Sequence, residues 1–558
     1  MTVDTAPAGG AMSGLQEVSP AVGPGGIAAA PRRRRLLHRL RLPQTLFEWW
    51  ITGLVLFGVA GRVSFYTSPF GVPDSDEAVG GLMAKDALHG KLTAFMWGQA
   101  YGGPLETWLA APVVGLFGPS WLGLRMIPIV LTAVASILVW RVGLRTIGRT
   151  GAITAAALSW FFPSTLIWKT THFHILYASS MVLGMLTVLQ VLRMRERPSW
   201  RGMFLLGLVA GVGIWQSFQL VTIIPAAVIW LAVRRRDVIR LLPATVLGTV
   251  IGLLPVLISN LRHSWWSHDI GTPGDAIPYL SRLWRFFTHA LPLALDLRAP
   301  VTLHWFLWAP LALAMYAVVL AGFVWLVWKS RRSDNRNVEL LLVIVAVFPF
   351  IYAVSPLTTF LFHAGYVVVL MPVLSLVLCA WVRAETQAMV VSGLAVVLIA
   401  TSAIDLAMAR DRASSDYRFS AFGDHAPLPR DFGPLKERLD QLGIRRVYAS
   451  YWIAYRITFE TDGRIVAADM RPEALRIKPG WVVVPLPDDP YLKSRHPEYG
   501  PIVARVTAPA FVIAKGFDVA STDYGSLESA RYKTEQVGAF TIYHRGSLSQ
   551  GTGAKPRQ

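Results

Sequence analysis

Cysteine is all but missing: Cys379 is the single one, and it sits inside an apolar run. No intrachain disulfide and no thiolate metal cluster can be built from this chain. Charge is scarce as well. Only 16% of the residues are Asp, Glu, Lys or Arg, against roughly 25% in a soluble protein, while 53% are hydrophobic and the mean hydropathy is +0.45. A soluble protein is excluded as the main body of the chain. Acids are the scarcer sign, 34 against 53 Lys and Arg, which gives a formal net charge of +19. The polar C-terminal part shows neither a glycine-rich phosphate loop nor a metal-ligand spacing.

A large positive charge suits nucleic acid, but here its placement argues for a membrane. The cations fall between apolar runs, at Arg141/Arg145/Arg149, Arg193/Arg195/Arg197/Arg201, Arg234/Arg235/Arg236/Arg240 and Lys329/Arg331/Arg332/Arg336. Counted over short loops, about 22 Lys and Arg lie on one side and about 8 on the other, the bias that keeps basic loops cytoplasmic. About eleven segments approach the ~20 apolar residues that a crossing needs: 47–66, 121–143, 151–168, 173–192, 202–217, 219–233, 241–260, 305–328, 338–358, 364–382 and 387–407. The Arg-rich block from Arg32 to Arg41 precedes the first, so the N-terminus is expected inside and, after an odd number of crossings, the C-terminus outside. Residues 1–46 read as a disordered basic cytoplasmic tail, because their first 30 are rich in Ala, Gly, Pro and Ser without apolar periodicity. The first apolar run is too long for a cleaved signal peptide and reads as a retained helix. Residues 47–407 form the membrane domain. Residues 408–558 have the composition of a small extracytoplasmic α/β domain, with a helix at 434–442 and strands at 446–451, 464–468, 481–487, 511–514 and 540–543.

The scarce acids are concentrated in one place. Asp74, Asp76 and Glu77 open the first outer loop, 67–120, which reads as two short helices, 76–89 and 104–117, joined by a Gly/aromatic turn at 97–103. A carboxylate at a membrane surface can take a proton from a hydroxyl as its oxygen attacks an electrophilic carbon. If the leaving group is a lipid-linked phosphate, nearby cations suffice and no general acid is needed. The plainer reading is that these acids solvate the loop and place negative charge at a helix N-terminus, worth about 0.3–1 kcal/mol.

The order of motifs adds weight to the first reading. The outer-loop Asp76-Glu77-Ala78 enters a helix, followed by Gly90-Lys91, Tyr101-Gly102-Gly103-Pro104-Leu105-Glu106 and Gly118-Pro119-Ser120, then a second span bearing Arg125. This resembles the GT-C superfamily of integral-membrane glycosyltransferases, nearest to the glycosyltransferase family 39 type that includes protein O-mannosyltransferases and lipid A aminoarabinose transferases. The likeness is sharpest over 68–145 and continues as hydropathy over 47–407. It implies a polytopic α-helical GT-C fold and an inverting transfer of a sugar, such as mannose or another hexose, from a polyprenyl-phosphate carrier on the outer face of the plasma membrane. The acceptor is a glycan, glycolipid or protein, and no cofactor is implied. The family's catalytic Asp falls on Asp76, with Glu77 beside it. Candidates for donor or acceptor contact are Tyr101, Glu106, Lys169, His172, His174, Arg262 and His263. A divalent metal on His172 and His174 is disfavoured, because helical residues two apart face different ways. The rival readings are a transporter or lipid flippase, which would place ionisable groups near mid-span, and a catalytically silent scaffold of the same fold.

Overall fold

The computed structural model describes residues 43–68, 71–97, 99, 101–262, 277–299, 303–305, 308–332, 336–359, 365–412, 429–470, 503, 510–514 and 532–545. The first helix, α1 (Leu46–Thr67), starts at a reciprocal capping box: the Thr45 side chain accepts from the Glu48 N–H at 3.1 Å, and the Thr45 N–H donates to Glu48 Oε2 at 3.3 Å. The acid loop follows, and its two expected helices are present as α2 (Ser75–Leu88) and α3 (Leu105–Phe117). Helix α3 ends at Gly118, whose φ of +66° is the left-handed conformation that glycine adopts without strain. Ser120 then caps α4 (Trp121–Thr146), accepting from the Gly123 N–H at 3.2 Å.

The next apolar run is broken. Helices α5 (Arg149–Phe161) and α6 (Ser164–Thr171) meet at 59° across Phe162-Pro163, where proline has no N–H to continue the ladder. The break turns the end of α6 toward α2. After α7 (Tyr177–Glu196), α8 (Trp200–Gln216) and α9 (Ile224–Arg234), a second bent pair is formed at 53° by the segment ending in α10 (Leu242–Gly252) and by α11 (Leu254–Arg262). Short helices α12 (Tyr279–Arg285) and α13 (Leu291–Ala294) precede α14 (Ala309–Arg331), α15 (Asn337–Tyr352), α16 (Met371–Leu378) and α17 (Glu385–Arg412). Among the described residues five helices are long and apolar enough to cross a membrane, namely α1, α4, α7, α14 and α17, or seven spans if each bent pair counts as one. Eleven were expected from the sequence. The difference lies in runs such as 218–234, 337–352 and 365–378, which are apolar but helical over too few residues to meet that length.

Helices α8 and α10 pack on glycine. Gly207 and Gly211 face Gly248 and Gly252, and a Cβ on Gly207 would come within 1.9 Å of the Thr245 carbonyl oxygen. Each helix thus carries a Gly-x-x-x-Gly pair that lets backbones approach closely. Helix α14 is the opposite case, with only 11% of its apolar window buried within the protein.

The C-terminal region forms α18 (Gly433–Gln441), β1 (Arg446–Ser450), α19 (Tyr451–Glu460), β2 (Val466–Met470), β3 (Ala510–Ala514), β4 (Lys533–Val537) and β5 (Phe540–His544). The sheet order is β2-β1-β3-β5-β4; β1 runs parallel to both β2 and β3, while β5 is antiparallel to β3 and β4. A parallel β1 and β2 require a crossover, and α19 supplies it. The expected strand 481–487 lies outside the described residues. Helix α19 and strand β4 were not expected; the former has a strand-like aromatic sequence, the latter a polar one. One hydrophobic core joins this region to the acid loop: Ala78, Val79, Leu82 and Met83 of α2 cluster with Ile453, Ala454, Ile457 and Phe459 of α19. The acid loop thus packs with the C-terminal region, in an apolar cluster separate from that of the long helices.

Candidate functional site

The three acids of the loop have three different surroundings. Asp74 caps α2, its Oδ1 accepting from the Glu77 N–H at 3.0 Å, and its Oδ2 lies 3.6 Å from His174 Nε2. Burial by itself would raise the Asp74 carboxyl, but His174 outweighs it and the net shift is downward. Glu77 is fully buried. Its carboxylate takes a two-pronged contact from Arg125, Nε to Oε2 at 2.7 Å and Nη2 to Oε1 at 2.5 Å, and also accepts from the Phe173 N–H at 3.0 Å and from His172. Desolvation opposes the charged form of Glu77, yet the Arg125 guanidinium above all, with hydrogen bonds from Arg125 and His172, holds its carboxyl well below the usual range. Asp76 is half-buried between them along the chain and accepts a short hydrogen bond from the Tyr451 hydroxyl.

The bent span brings the cations. Lys169, near the end of α6, is 6% exposed, with its ammonium 4.5 Å from the Trp168 ring centroid and 5.7 Å from that of Tyr177, and it feels the charges of both Asp74 and Asp76. His172 and His174 follow in a non-helical segment, φ −80° and ψ 150° at His172. Extended residues two apart share a face, so the rings stack at 4.9 Å rather than diverge as helical spacing would have it. Burial pushes His172 down, toward its neutral form, against the pull of Glu77. Among the described residues no three His, Cys, Asp or Glu side chains are grouped as metal ligands.

Glu106 is buried at the start of α3, where its Oε1 accepts from Leu176 N–H at 3.2 Å, Ser179 N–H at 2.9 Å and Ser179 Oγ at 2.6 Å. It therefore caps α7, and Gln216 supports the cap by donating to Ser179 Oγ at 2.8 Å. Burial raises its carboxyl despite the Ser179 bonds. Tyr101 is half-buried within electrostatic range of Tyr177, as is Asp76. Arg262 stands exposed at the end of α11, and the described contacts do not bring it to the acids. His263 lies outside the described residues.

Arg125, read from the sequence only as part of the motif order, and two residues that sequence reasoning did not single out complete the picture. Arg125 is 1% exposed inside a span and bridges Glu77, His172 and the Gly71 carbonyl at 2.8 Å; a charge in a span is itself a functional signal. Asp296, fully buried, accepts from the Ser164 N–H at 2.8 Å and from Ser164 Oγ at 2.5 Å, which pins the first turn of α6. Desolvation pushes its carboxyl up to about 7. Tyr451 has no local signal at all. Beside the cluster, a cavity of about 370 Å³ opens among Tyr66, Trp121, Arg125, Arg430, Lys436 and Arg456.

This fold, a helical membrane body whose acid helix packs against a small α/β region, is similar to that of solved membrane proteins. The apo crystal structure of ArnT from Cupriavidus metallidurans matches at a TM-score of 0.53 with 12% identity, covering 88% of this chain and 98% of that one. The same protein bound to undecaprenyl phosphate matches at 0.52 and 12%, covering 90% and 100%. Residues 102–261 match the family model described as dolichyl-phosphate-mannose-protein mannosyltransferase. The resemblance read from the acid loop is thereby shown. No curated protein matches.

Proposed function

We propose that the protein is a glycosyltransferase that moves a sugar, mannose or another hexose, from a polyprenyl-phosphate carrier to a glycan, glycolipid or protein acceptor at the outer face of the plasma membrane. The acceptor hydroxyl oxygen attacks the anomeric carbon from the face opposite the phosphate. The new C–O bond forms as the bond to the phosphate oxygen breaks, the electron pair leaves with the phosphate, and the hydroxyl proton passes to Asp76. Inversion follows from the single displacement. Lys169, with His174 across the same Tyr177 ring, meets the developing phosphate charge; an odd number of crossings from an inside N-terminus would put this site and residues 408–558 outside.

The observation that carries this reading is the division of labour among the acids. Glu77 is sealed in an ion pair and Asp74 caps a helix, whereas Asp76 is half-buried within electrostatic range of Lys169. A base must be reachable, and Asp76 fits that need. Glu77 then serves from behind, by holding Arg125 and His172. The same scarcity of mid-span acids speaks against a transporter.

Asp76→Asn keeps size and removes the basic carboxylate. Transfer from radiolabelled polyprenyl-phosphate sugar should fall by about 10²-fold or more in protein with a matched melt, the usual scale for a general base, while Glu77→Gln should be milder in rate. Near wild-type transfer in Asp76→Asn with none in Asp74→Asn would move the base to Asp74. Uptake into vesicles without transfer would point to a transporter instead.

A further inference from the structure

We infer that Tyr451 of the C-terminal region is a positioning residue for the Asp76 carboxylate, so that this region completes the acid site. The inference rests on the reading of Asp76 as the base. Tyr451 is the first residue of α19, and its hydroxyl donates to Asp76 Oδ1. Its ring is set by its neighbours, with Trp452 at 5.2 Å and Tyr455 at 5.6 Å between centroids, both edge-on. The donor is therefore held before any substrate arrives.

Helix α19 is in turn fastened to the acid loop along its length. Phe459 lies so near Gly81 of α2 that a Cβ there would come within 2.4 Å of the ring. Arg456 donates to the Pro73 carbonyl at 3.2 Å, Trp121 Nε1 to Glu460 Oε1 at 3.2 Å, and Lys85 to Asp462 Oδ1 at 2.6 Å. These contacts tie α19 and the turn after it to α2, to the chain just before α2 and to the start of α4, and α19 shares an apolar core with α2. Asp76 itself sits in the first turn of α2, where a short acidic side chain otherwise rotates between staggered wells. A carboxylate has two oxygens and about four acceptor sites. A phenol on one oxygen therefore selects a rotamer while leaving the group capable of taking a proton. Near-attack geometry is sensitive to such orientation, since displacement by about 1 Å can cost 10²-fold in rate.

The test is Tyr451→Phe, which deletes one oxygen and keeps the ring. The expected result is a fall in kcat of about tenfold or more, the scale of a hydrogen bond to a charged group, with KM for the lipid donor and the melting temperature unchanged. In an Asp76→Asn background the same change should slow transfer no further, because the group it orients is already disabled. A kcat for Tyr451→Phe equal to wild type, or losses that multiply in the double variant, would overturn the inference while leaving the base assignment intact. Wild-type transfer by Asp76→Asn would instead remove the base assignment and the inference with it. If Tyr451→Phe lowers the melt, Phe459→Leu loosens the same docking face away from Asp76; an equal loss of kcat there would reduce Tyr451 to a docking contact and overturn the proposal.

Discussion

Arg125→Met would strand the Glu77 carboxylate in a place with no water. The two side chains are 1% and 0% exposed, and the change removes both charge-assisted contacts at 2.7 and 2.5 Å, leaving the Phe173 N–H and the neutral-leaning His172 as partners. Removing one member of a buried pair costs about 3–5 kcal/mol, because the other charge stays behind uncompensated. The pH dependence has a definite sign. In the wild type the Glu77 carboxyl lies well below its ordinary 4.5, so its stabilising contribution is present above about pH 4.5 and is lost as pH falls through the lowered native value. Without Arg125, burial dominates and raises the carboxyl, so the variant should melt lower at neutral pH and regain ground relative to wild type on acidification. Thermal melts of detergent-purified protein between pH 4 and 7 would read both effects, with Glu77→Gln/Arg125→Met as the closing corner of the cycle. That double variant should recover part of the loss, since neither charge is stranded. An Arg125→Met melt equal to wild type across this range would refute the reasoning, since a buried pair cannot lose a partner without cost.

Lys169→Ala should raise KM for the lipid donor by about tenfold or more, the scale of losing a charge-assisted partner, whereas exposed Arg262→Ala should change it little; steady-state kinetics with equal responses of the two variants would misplace the phosphate. Asp296→Asn bears on α6 rather than on chemistry. The Asp296 carboxyl holds its proton up to about 7 in the folded protein, so wild-type stability should decline relative to Asp296→Asn as pH rises from about 4 to about 7, and melts that keep a constant difference over that window would contradict the buried cap.

The acid loop was the most legible part of the chain. Asp74, Asp76 and Glu77 at the head of a helix, and the second helix ending near Phe117, follow from local signals that the fold retains: a capping acid, a glycine past the end, prolines on either side. The spans were less legible, because hydropathy measures apolar length and not continuity. Pro163 breaks one run into α5 and α6, and that break is what carries Lys169 and His172 to the acids. Helical spacing would set His172 and His174 on different faces, whereas the extended backbone there stacks their rings. The Gly-x-x-x-Gly pairs of α8 and α10 are a local signal that hydropathy does not register. Tyr451 belongs to another category: it meets Asp76 across 375 positions, and no periodicity encodes a contact of that separation.

Helix α14 makes the bilayer part of the molecule's architecture. Its 23 residues span about 35 Å at 1.5 Å per residue, somewhat more than a hydrocarbon thickness of about 30 Å. Few protein neighbours oppose tilting, and its ends are weighted by Trp308 on one side and by Trp325 and Trp328, stacked beneath Lys329 and Arg332, on the other. Such a helix behaves as a float whose angle is set by the lipid around it. In a thinner membrane it leans, in a thicker one it stands, while the tightly packed helices beside it keep their places.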